Sequence, residues 1–97
     1  MPEIVLHEGA DEELKAAAVF YESRRAGLGE SFLERVSEGF ELIRTQPLAG
    51  QVTFKNYRRV LIQQFPYSII YRVEADTVFV VAIAHWRRRP MYWKPRT

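Results

Sequence analysis

The stretch YSIIYRVEADTVFVVAIA, residues 67–84, contains two strand-forming segments on either side of a short polar turn. In residues 67–73 the side chains alternate along the chain, with Tyr67 and Tyr71 in one set and Ser68 and Arg72 in the other, which is typical of a strand. Residues 77–84 are continuously apolar and rich in β-branched side chains, which predicts a strand that is covered on both faces or central in its sheet. The three residues 74–76 are predicted to form a hairpin turn, although they lack the usual glycine. This stretch therefore predicts an antiparallel hairpin.

Two amphipathic helices are predicted upstream of this hairpin. Asp11 is a candidate N-cap for the first helix, and the second helix is expected over residues 29–45, where Pro47 stops it. Glycines at positions 27 and 29 separate the two helices, so they should form a helical hairpin. Each helix carries one apolar stripe at helical spacing, Leu14, Ala17, Ala18 and Tyr21 in the first (Ala10 can extend it) and Phe32, Val36, Phe40 and Ile43 in the second.

Two further strands complete the predicted fold. Residues 3–7 are a short run of strand formers before the first helix, and residues 59–64 form a strand before the hairpin. The order β-α-α-β-β-β predicts an α+β domain with a twisted, mostly antiparallel sheet and a two-helix hairpin packed on one face. The chain of 97 residues has room for one domain, residues 1–97.

Composition excludes several classes of function. The chain has no cysteine, so disulfides, thiolate metal sites and cysteine nucleophiles are ruled out. No apolar run approaches a membrane-spanning length and the first residues do not resemble a secretory signal, so we expect a soluble cytoplasmic protein. No nucleotide-binding or metalloprotease motif occurs, and His7 and His85 lie far apart in the sequence, so neither a cofactor nor a metal site is expected.

Charge is distributed unevenly along the chain. Residues 1–50 contain 5 Lys or Arg and 10 Asp or Glu, whereas residues 51–97 contain 9 and 2, giving balances of −5 and +7. A basic half of this kind favours a polyanion or an acidic partner, and the alternative is a solvated surface that is merely polarised.

An ordered set of residues resembles the RelE/ParE superfamily of toxins, in particular its ParE-like plasmid-stabilisation branch. The resemblance covers nearly the whole chain and is strongest towards the C-terminus. The matching pieces are Glu13-Leu14, Phe20-Tyr21-Glu22, Gly27-Leu28-Gly29, Phe32, Ile43, Pro47, Tyr57-Arg58-Arg59, Phe65-Pro66-Tyr67 with Ile69 and Tyr71, and AIAHWRRRP at residues 82–90 followed by Tyr92-Trp93.

This resemblance implies the toxin of a bacterial type II toxin–antitoxin system, neutralised by a small antitoxin. ParE-like members poison DNA gyrase and block replication, whereas RelE-like members enter the ribosomal A site and cut messenger RNA. One scaffold carries both activities, so the fold alone does not separate them.

A nuclease of the RelE type would need a base, an acid and positive charge around the scissile phosphate. Lys55, Arg58, His85 and Tyr92 are the candidates for these roles, although the loop with Lys55 holds fewer basic groups than such nucleases tend to show. Arg58 and its neighbour Arg59 should point to opposite faces of a strand, so only one of them can face a given site. His85 can equally be an ordinary strand-end residue, and Tyr92 and Trp93 can simply pack the tail onto the sheet.

The tail after residue 85 interleaves arginine with large aromatic residues, which are the types that dominate interface energetics. The same mixture can hold phosphates and stack bases, and an ordered but inert tail is the remaining alternative. We expect a non-catalytic gyrase inhibitor, with an mRNA endoribonuclease or a non-toxic partner-binding domain as the alternatives. The residues expected to bind the target or partner are Arg59, Trp86, Arg87, Arg88, Arg89, Tyr92 and Trp93.

Overall fold

A computed structural model describes residues 2–97 and confirms the α+β class. Two helices lie between the first strand and a run of four further strands. A short 3₁₀ turn, Lys94–Arg96, ends the chain. The elements are β1 (Glu3–Leu6), α1 (Glu8–Arg24), α2 (Leu28–Thr45), β2 (Gln51–Phe54), β3 (Tyr57–Leu61), β4 (Tyr67–Glu74) and β5 (Thr77–His85).

The five strands form one mixed sheet in the order β1-β5-β4-β3-β2. β1 pairs with β5 in parallel, and all the other pairs are antiparallel. The predicted hairpin is therefore confirmed as β4 and β5, whose turn residue Ala75 has a φ of +53°. None of the helices within residues 2–97 is long and apolar enough to cross a lipid bilayer.

One strand was not predicted. β2 has only four residues, at the sheet edge, and its sequence QVTF lacks a strong apolar pattern. It reaches β3 through a turn at Lys55 and Asn56, where Lys55 adopts a φ of +50°. Lysine seldom adopts this left-handed conformation, so the turn had no signal in the sequence.

Two predicted boundaries were wrong. His7, not Asp11, caps α1, because its Nδ1 atom accepts a hydrogen bond of 2.9 Å from the backbone N–H of Gly9. Asp11 lies in the first helical turn, where it pairs with Lys15. The strand predicted over residues 59–64 begins earlier and ends at Leu61, because its pairing with β4 starts at Tyr57.

The helical hairpin packs on one face of the sheet and buries the predicted stripes. Phe32, Val36 and Ile43 of α2 are buried, as are Ala10 and Ala17 of α1. The other stripe residues are partly buried against the same core.

The glycine-containing link between the helices is fixed by a carboxylate. Glu22 of α1 accepts hydrogen bonds from the backbone N–H groups of Gly27 and Gly29. At Gly29 the helices are so close that an added Cβ would lie 2.5 Å from the carbonyl oxygen of Ala18. These contacts explain why the chain combines a glutamate with two glycines in this region.

A β-bulge interrupts the regular alternation of side chains along β5. Ile70 pairs with Ala82 and Tyr71 pairs with Val80, which leaves Val81 as the extra residue on β5. Before and after the bulge, alternate side chains of β5 pack under the helices. Of the remaining side chains of β5, Val81, Ala82 and Ala84 belong to a second core on the opposite face, together with Tyr57, Ile70 and Trp93. The expectation that β5 is covered on both faces or central in the sheet is confirmed, since it lies between β1 and β4 and has buried side chains on both faces.

Candidate functional site

The C-terminal tail, residues 86–97, folds back across the face of the sheet that the helices leave open. Trp93 anchors this tail, since only 3% of it is exposed and it belongs to the second core. Its ring centroid lies 5.4 Å from that of Tyr57 and 6.1 Å from that of Phe54. The tail is thus part of the fold.

A carboxylate on α1 holds the end of the tail. Both oxygens of Glu13 accept hydrogen bonds from the guanidinium of Arg96, at 2.9 and 3.0 Å. The hydroxyl of Tyr92 donates a 2.6 Å hydrogen bond to the same carboxylate. Bidentate guanidinium–carboxylate pairs are among the stronger protein contacts, and only 16% of the Glu13 side chain and 21% of the Arg96 side chain are exposed. We call the group of Glu13, Tyr92 and Arg96 the tail clamp.

The tail clamp also completes the hydrogen bonding of the sheet. β1 ends at Leu6, which pairs with Val80, so the later part of β5 has no neighbouring strand on that side. There the backbone N–H of Ile83 donates to Glu13 at 3.1 Å, and the carbonyl of Val81 accepts from Arg96 at 3.0 Å. Two side chains therefore take over part of the role of a strand at this edge.

The surroundings of Tyr92 in the clamp raise its pKa. Burial raises the pKa of Tyr92 far above its ordinary value, and the neighbouring Glu13 carboxylate raises it further. The guanidinium of Arg88 lies 3.8 Å from the centre of the Tyr92 ring. The phenol is therefore a fixed, protonated donor at neutral pH.

Between the tail and the sheet lies an open cleft of about 230 Å³. Its walls combine basic and polar side chains with apolar ones such as Ile70, Ala84, Pro90 and Met91, and no Asp or Glu contributes to them. Arg59 of β3 faces this side and donates a 3.2 Å hydrogen bond to the amide oxygen of Gln51. We call this the cationic cleft and define it by Thr53, Arg59, Ser68, His85, Trp86, Arg88 and Arg89.

Trp86 separates the cationic cleft from a second depression. Its indole N–H donates a 3.2 Å hydrogen bond to the hydroxyl of Ser68, yet 58% of the residue is exposed. On its other side is a groove of about 390 Å³. We call this the apolar groove and define it by Leu61, Ile62, Gln63, Gln64, Phe65 and Pro66, with Trp86 as the shared wall.

The four nuclease candidates do not converge. His85 and Tyr92 line the cationic cleft, but Lys55 lies at the β2–β3 turn with its ammonium 5.3 Å from the centre of the Phe54 ring. Arg58 points to the helix-covered side, where it donates to the carbonyls of Leu48 and Gly50. Of the two neighbouring arginines only Arg59 faces the cleft, as the strand alternation predicted. His85 is a strand-end residue whose Nδ1 accepts a 3.0 Å hydrogen bond from the backbone N–H of Arg87.

The residues expected to bind a target or partner are largely brought together. Arg59, Trp86, Arg88 and Arg89 border the cationic cleft, and Arg87 is exposed beside it. Tyr92 and Trp93 also contribute to its wall, but one is held in the tail clamp and the other is buried in the second core.

Sequence reasoning missed the roles of Glu13 and Arg96. The available signal was the position of Glu13, because it falls between Ala10 and Ala17 on the apolar stripe of α1. A carboxylate at such a position requires a partner when the helix packs. Among residues 2–97, no group of three or more His, Asp or Glu side chains gathers in a way that could hold a metal ion.

The fold is a small α+β domain with a basic surface on its tail side. We call this surface the tail face and define it as the cationic cleft, the apolar groove and the exposed Arg87. The sequence model of one family, described as the ParE toxin of the type II toxin-antitoxin system parDE, matches residues 4–90. This chain belongs to that family, which confirms the resemblance to the ParE-like branch.

A solved structure described as the chromosomal ParDE TA system from P. aeruginosa has a similar fold. The two chains superpose with a TM-score of 0.75 at 15% identity, over 88% of this chain and 96% of that chain. A comparison with curated protein sequences gives no match.

The two tryptophans should contribute very differently to stability. Replacing the buried Trp93 with alanine should lower the free energy of unfolding by about 3–5 kcal/mol, because it opens a cavity in the second core. Replacing Trp86 should lower it by about 1 kcal/mol or less, since this residue is exposed and makes one hydrogen bond. Urea unfolding followed by circular dichroism measures both changes. Equal losses in the two variants would contradict the assignment of Trp93 to the core.

Proposed function

We propose that this ParE-family toxin acts in the bacterial cytoplasm by binding DNA gyrase and blocking replication, without catalysing a reaction itself. The observation that carries the proposal is the tail face, where an exposed indole is surrounded by arginines. Trp86 is the anchor, and Arg59, Arg87 and Arg89 lie around it. The ParE-like branch that the sequence resembles acts on gyrase, which supports this target.

A non-catalytic role is favoured by how the candidate catalytic groups are used. A general acid or base must exchange its proton near the working pH. Burial and the Glu13 carboxylate raise the pKa of Tyr92, which disfavours the phenolate that a general base would need, and the phenol hydrogen is donated to Glu13 in the clamp. Lys55 and Arg58 lie outside the cationic cleft. Of the four nuclease candidates only His85 and Tyr92 line the cleft, beside Arg59, Arg88 and Arg89.

The tail face also has the character of a protein-binding surface. Trp and Arg are over-represented among residues whose loss most weakens protein complexes. The apolar groove beside Trp86 adds Leu61, which is 51% exposed. An exposed apolar patch with a charged rim is typical of an interaction site.

We propose further that a cognate antitoxin neutralises the toxin through an acidic segment that folds on binding. The descriptions of the matching family and of the similar structure both refer to a toxin–antitoxin system. The charge balance of +7 in residues 51–97 suits an acidic partner. Such coupled folding should give a large negative heat capacity change on binding.

A supercoiling assay with purified gyrase tests the proposed target. The wild-type chain should inhibit supercoiling, and Trp86→Ala should raise the inhibitory concentration by at least about 30-fold, the cost of losing an anchor worth 2 kcal/mol. Val19→Ala is a matched control, because Val19 is 71% exposed on α1, away from the tail face. His85→Ala should leave inhibition largely intact.

Ribosome-dependent mRNA cleavage, measured with the wild-type chain and the same three variants, gives the outcomes that would contradict gyrase inhibition. The chain would be a nuclease if the wild type cuts mRNA at codon positions, His85→Ala does not, and none of the four proteins inhibits supercoiling. If high soluble expression leaves bacterial growth unimpaired and neither assay responds, the chain is a partner-binding domain without toxicity.

The rate of antitoxin binding tests the role of the exposed arginines. Replacing Arg87, Arg88 and Arg89 with glutamine should slow association by about tenfold at low salt, because rim charges steer the encounter. Stopped-flow measurements at low and high ionic strength follow this rate. Replacing Arg24, Arg25 and Arg44 on the helical hairpin removes the same charge and serves as control. A wild-type rate that does not change with ionic strength would rule out steering.

A further inference from the structure

Two arginines of the cationic cleft, Arg59 and Arg89, lack an acidic partner among residues 2–97, whereas Arg88 lies 3.8 Å from a carboxylate oxygen of Glu13. On the helical hairpin, Lys15, Arg35 and Arg44 each pair with a carboxylate one helical turn away. Among residues 2–97, no carboxylate oxygen lies within 4.0 Å of the charged atoms of Arg59 or Arg89. Arg59 and Arg89 therefore bring to the cationic cleft positive charge that no carboxylate of residues 2–97 pairs with.

Hydroxyl groups accompany these arginines. Ser68 and Thr53 both contribute to the wall of the cationic cleft. Guanidinium and hydroxyl donors together are the groups that proteins use to hold phosphate oxygens. The cleft of about 230 Å³ is open on one side, so a chain can pass through it. This chemistry fits a phosphodiester.

Trp86 adds a stacking surface at the boundary of the cleft. The hydrogen bond from its indole N–H to Ser68 fixes the polar edge of the ring on the sheet. Because 58% of Trp86 is exposed, its ring is available to contact a ligand. Beyond it, the apolar groove presents Leu61 and Pro66 together with the polar side chain of Gln63. A planar, partly polar group such as a nucleobase fits this arrangement.

We propose that the tail face binds single-stranded nucleic acid, with a phosphodiester in the cationic cleft and the adjoining base stacked on Trp86. A cationic groove beside exposed aromatic rings is the usual arrangement for this class of ligand. A duplex keeps its bases paired and stacked, so it could not place one on Trp86. The acidic segment proposed for the antitoxin could pair with the same arginines, but a chain of carboxylates by itself has no planar group to stack on the indole. This binding goes beyond gyrase inhibition and does not require it.

Fluorescence of the full chain, titrated with short oligothymidylate and oligouridylate, tests this proposal without gyrase. A base stacked on Trp86 should quench its emission, whereas the buried Trp93 should be unaffected. Trp86→Leu should weaken binding by about tenfold or more, as expected for one lost stacking contact. Arg59→Gln should weaken it and lower the slope of log affinity against log salt by about 0.7, the contribution of one phosphate. Circular dichroism confirms that each variant is folded.

Arg25→Gln is the matched control, because Arg25 is exposed on the helical hairpin and the substitution removes the same charge. It should leave affinity within about twofold of wild type, since distant surface charges are screened. Binding of both oligonucleotides, or of either one alone, supports the proposal and identifies the sugar that the site accepts.

Three results would overturn the proposal. The first is no quenching at low salt, and the second is an equal loss of affinity in Arg25→Gln and Arg59→Gln. The third is equal binding and quenching by oligoglutamate, which would assign the face to acidic peptides. Because gyrase is absent, a failure here would leave the supercoiling result intact, and the reverse also holds.

Discussion

The carboxylate of Glu13 connects the three parts of this molecule. It lies on α1, accepts the backbone N–H of Ile83 in β5, and is paired with Arg96 and Tyr92 from the tail. A partly buried carboxylate without these donors would be costly, and so would the guanidinium that it neutralises. The helix, the sheet edge and the tail therefore depend on one another.

This arrangement follows from the shortness of β1. Since β1 ends beside Val80, the rest of β5 has backbone groups that no strand satisfies on that side. An unpaired edge is a liability for folding and solubility. Here side chains of α1 and of the tail provide hydrogen bonds at Val81 and Ile83. The clamp also directs the tail over the sheet, where Trp93 fills the second core and Trp86 and the arginines border the cationic cleft.

The sequence was most informative where periodicity reflects burial. The stripe of Phe32, Val36 and Ile43 and the apolar run of β5 predicted the layers of the fold, because each element buries its own face. The sequence was least informative where a turn or a helix end depends on unusual local geometry. The turn at Lys55 depends on a positive φ, and the cap of α1 depends on a single hydrogen bond of His7.

The candidate site was also predictable only in part. Arg59 and the segment after β5 were recognisable from residue types, and strand alternation correctly separated Arg59 from Arg58. The burial of Trp93 was predicted only as an alternative to a binding role, because an Arg- and Trp-rich tail has the same composition whether it packs or projects. The clamp joins residues more than 80 positions apart, and only the folded chain brings Glu13 and Arg96 together.

Native-state hydrogen exchange of a Glu13→Ala variant tests the central role of this carboxylate most directly. The exposed neighbour Glu12 provides the matched control, Glu12→Ala. Loss of Glu13 should speed exchange at the Ile83 amide by one to two orders of magnitude, corresponding to about 1.4–2.8 kcal/mol of lost local protection. Amides at the centre of β4, such as that of Ile69, should change far less. If Ile83 exchanges at the same rate in both variants, or if every amide accelerates equally, Glu13 does not hold the tail and the sheet edge together.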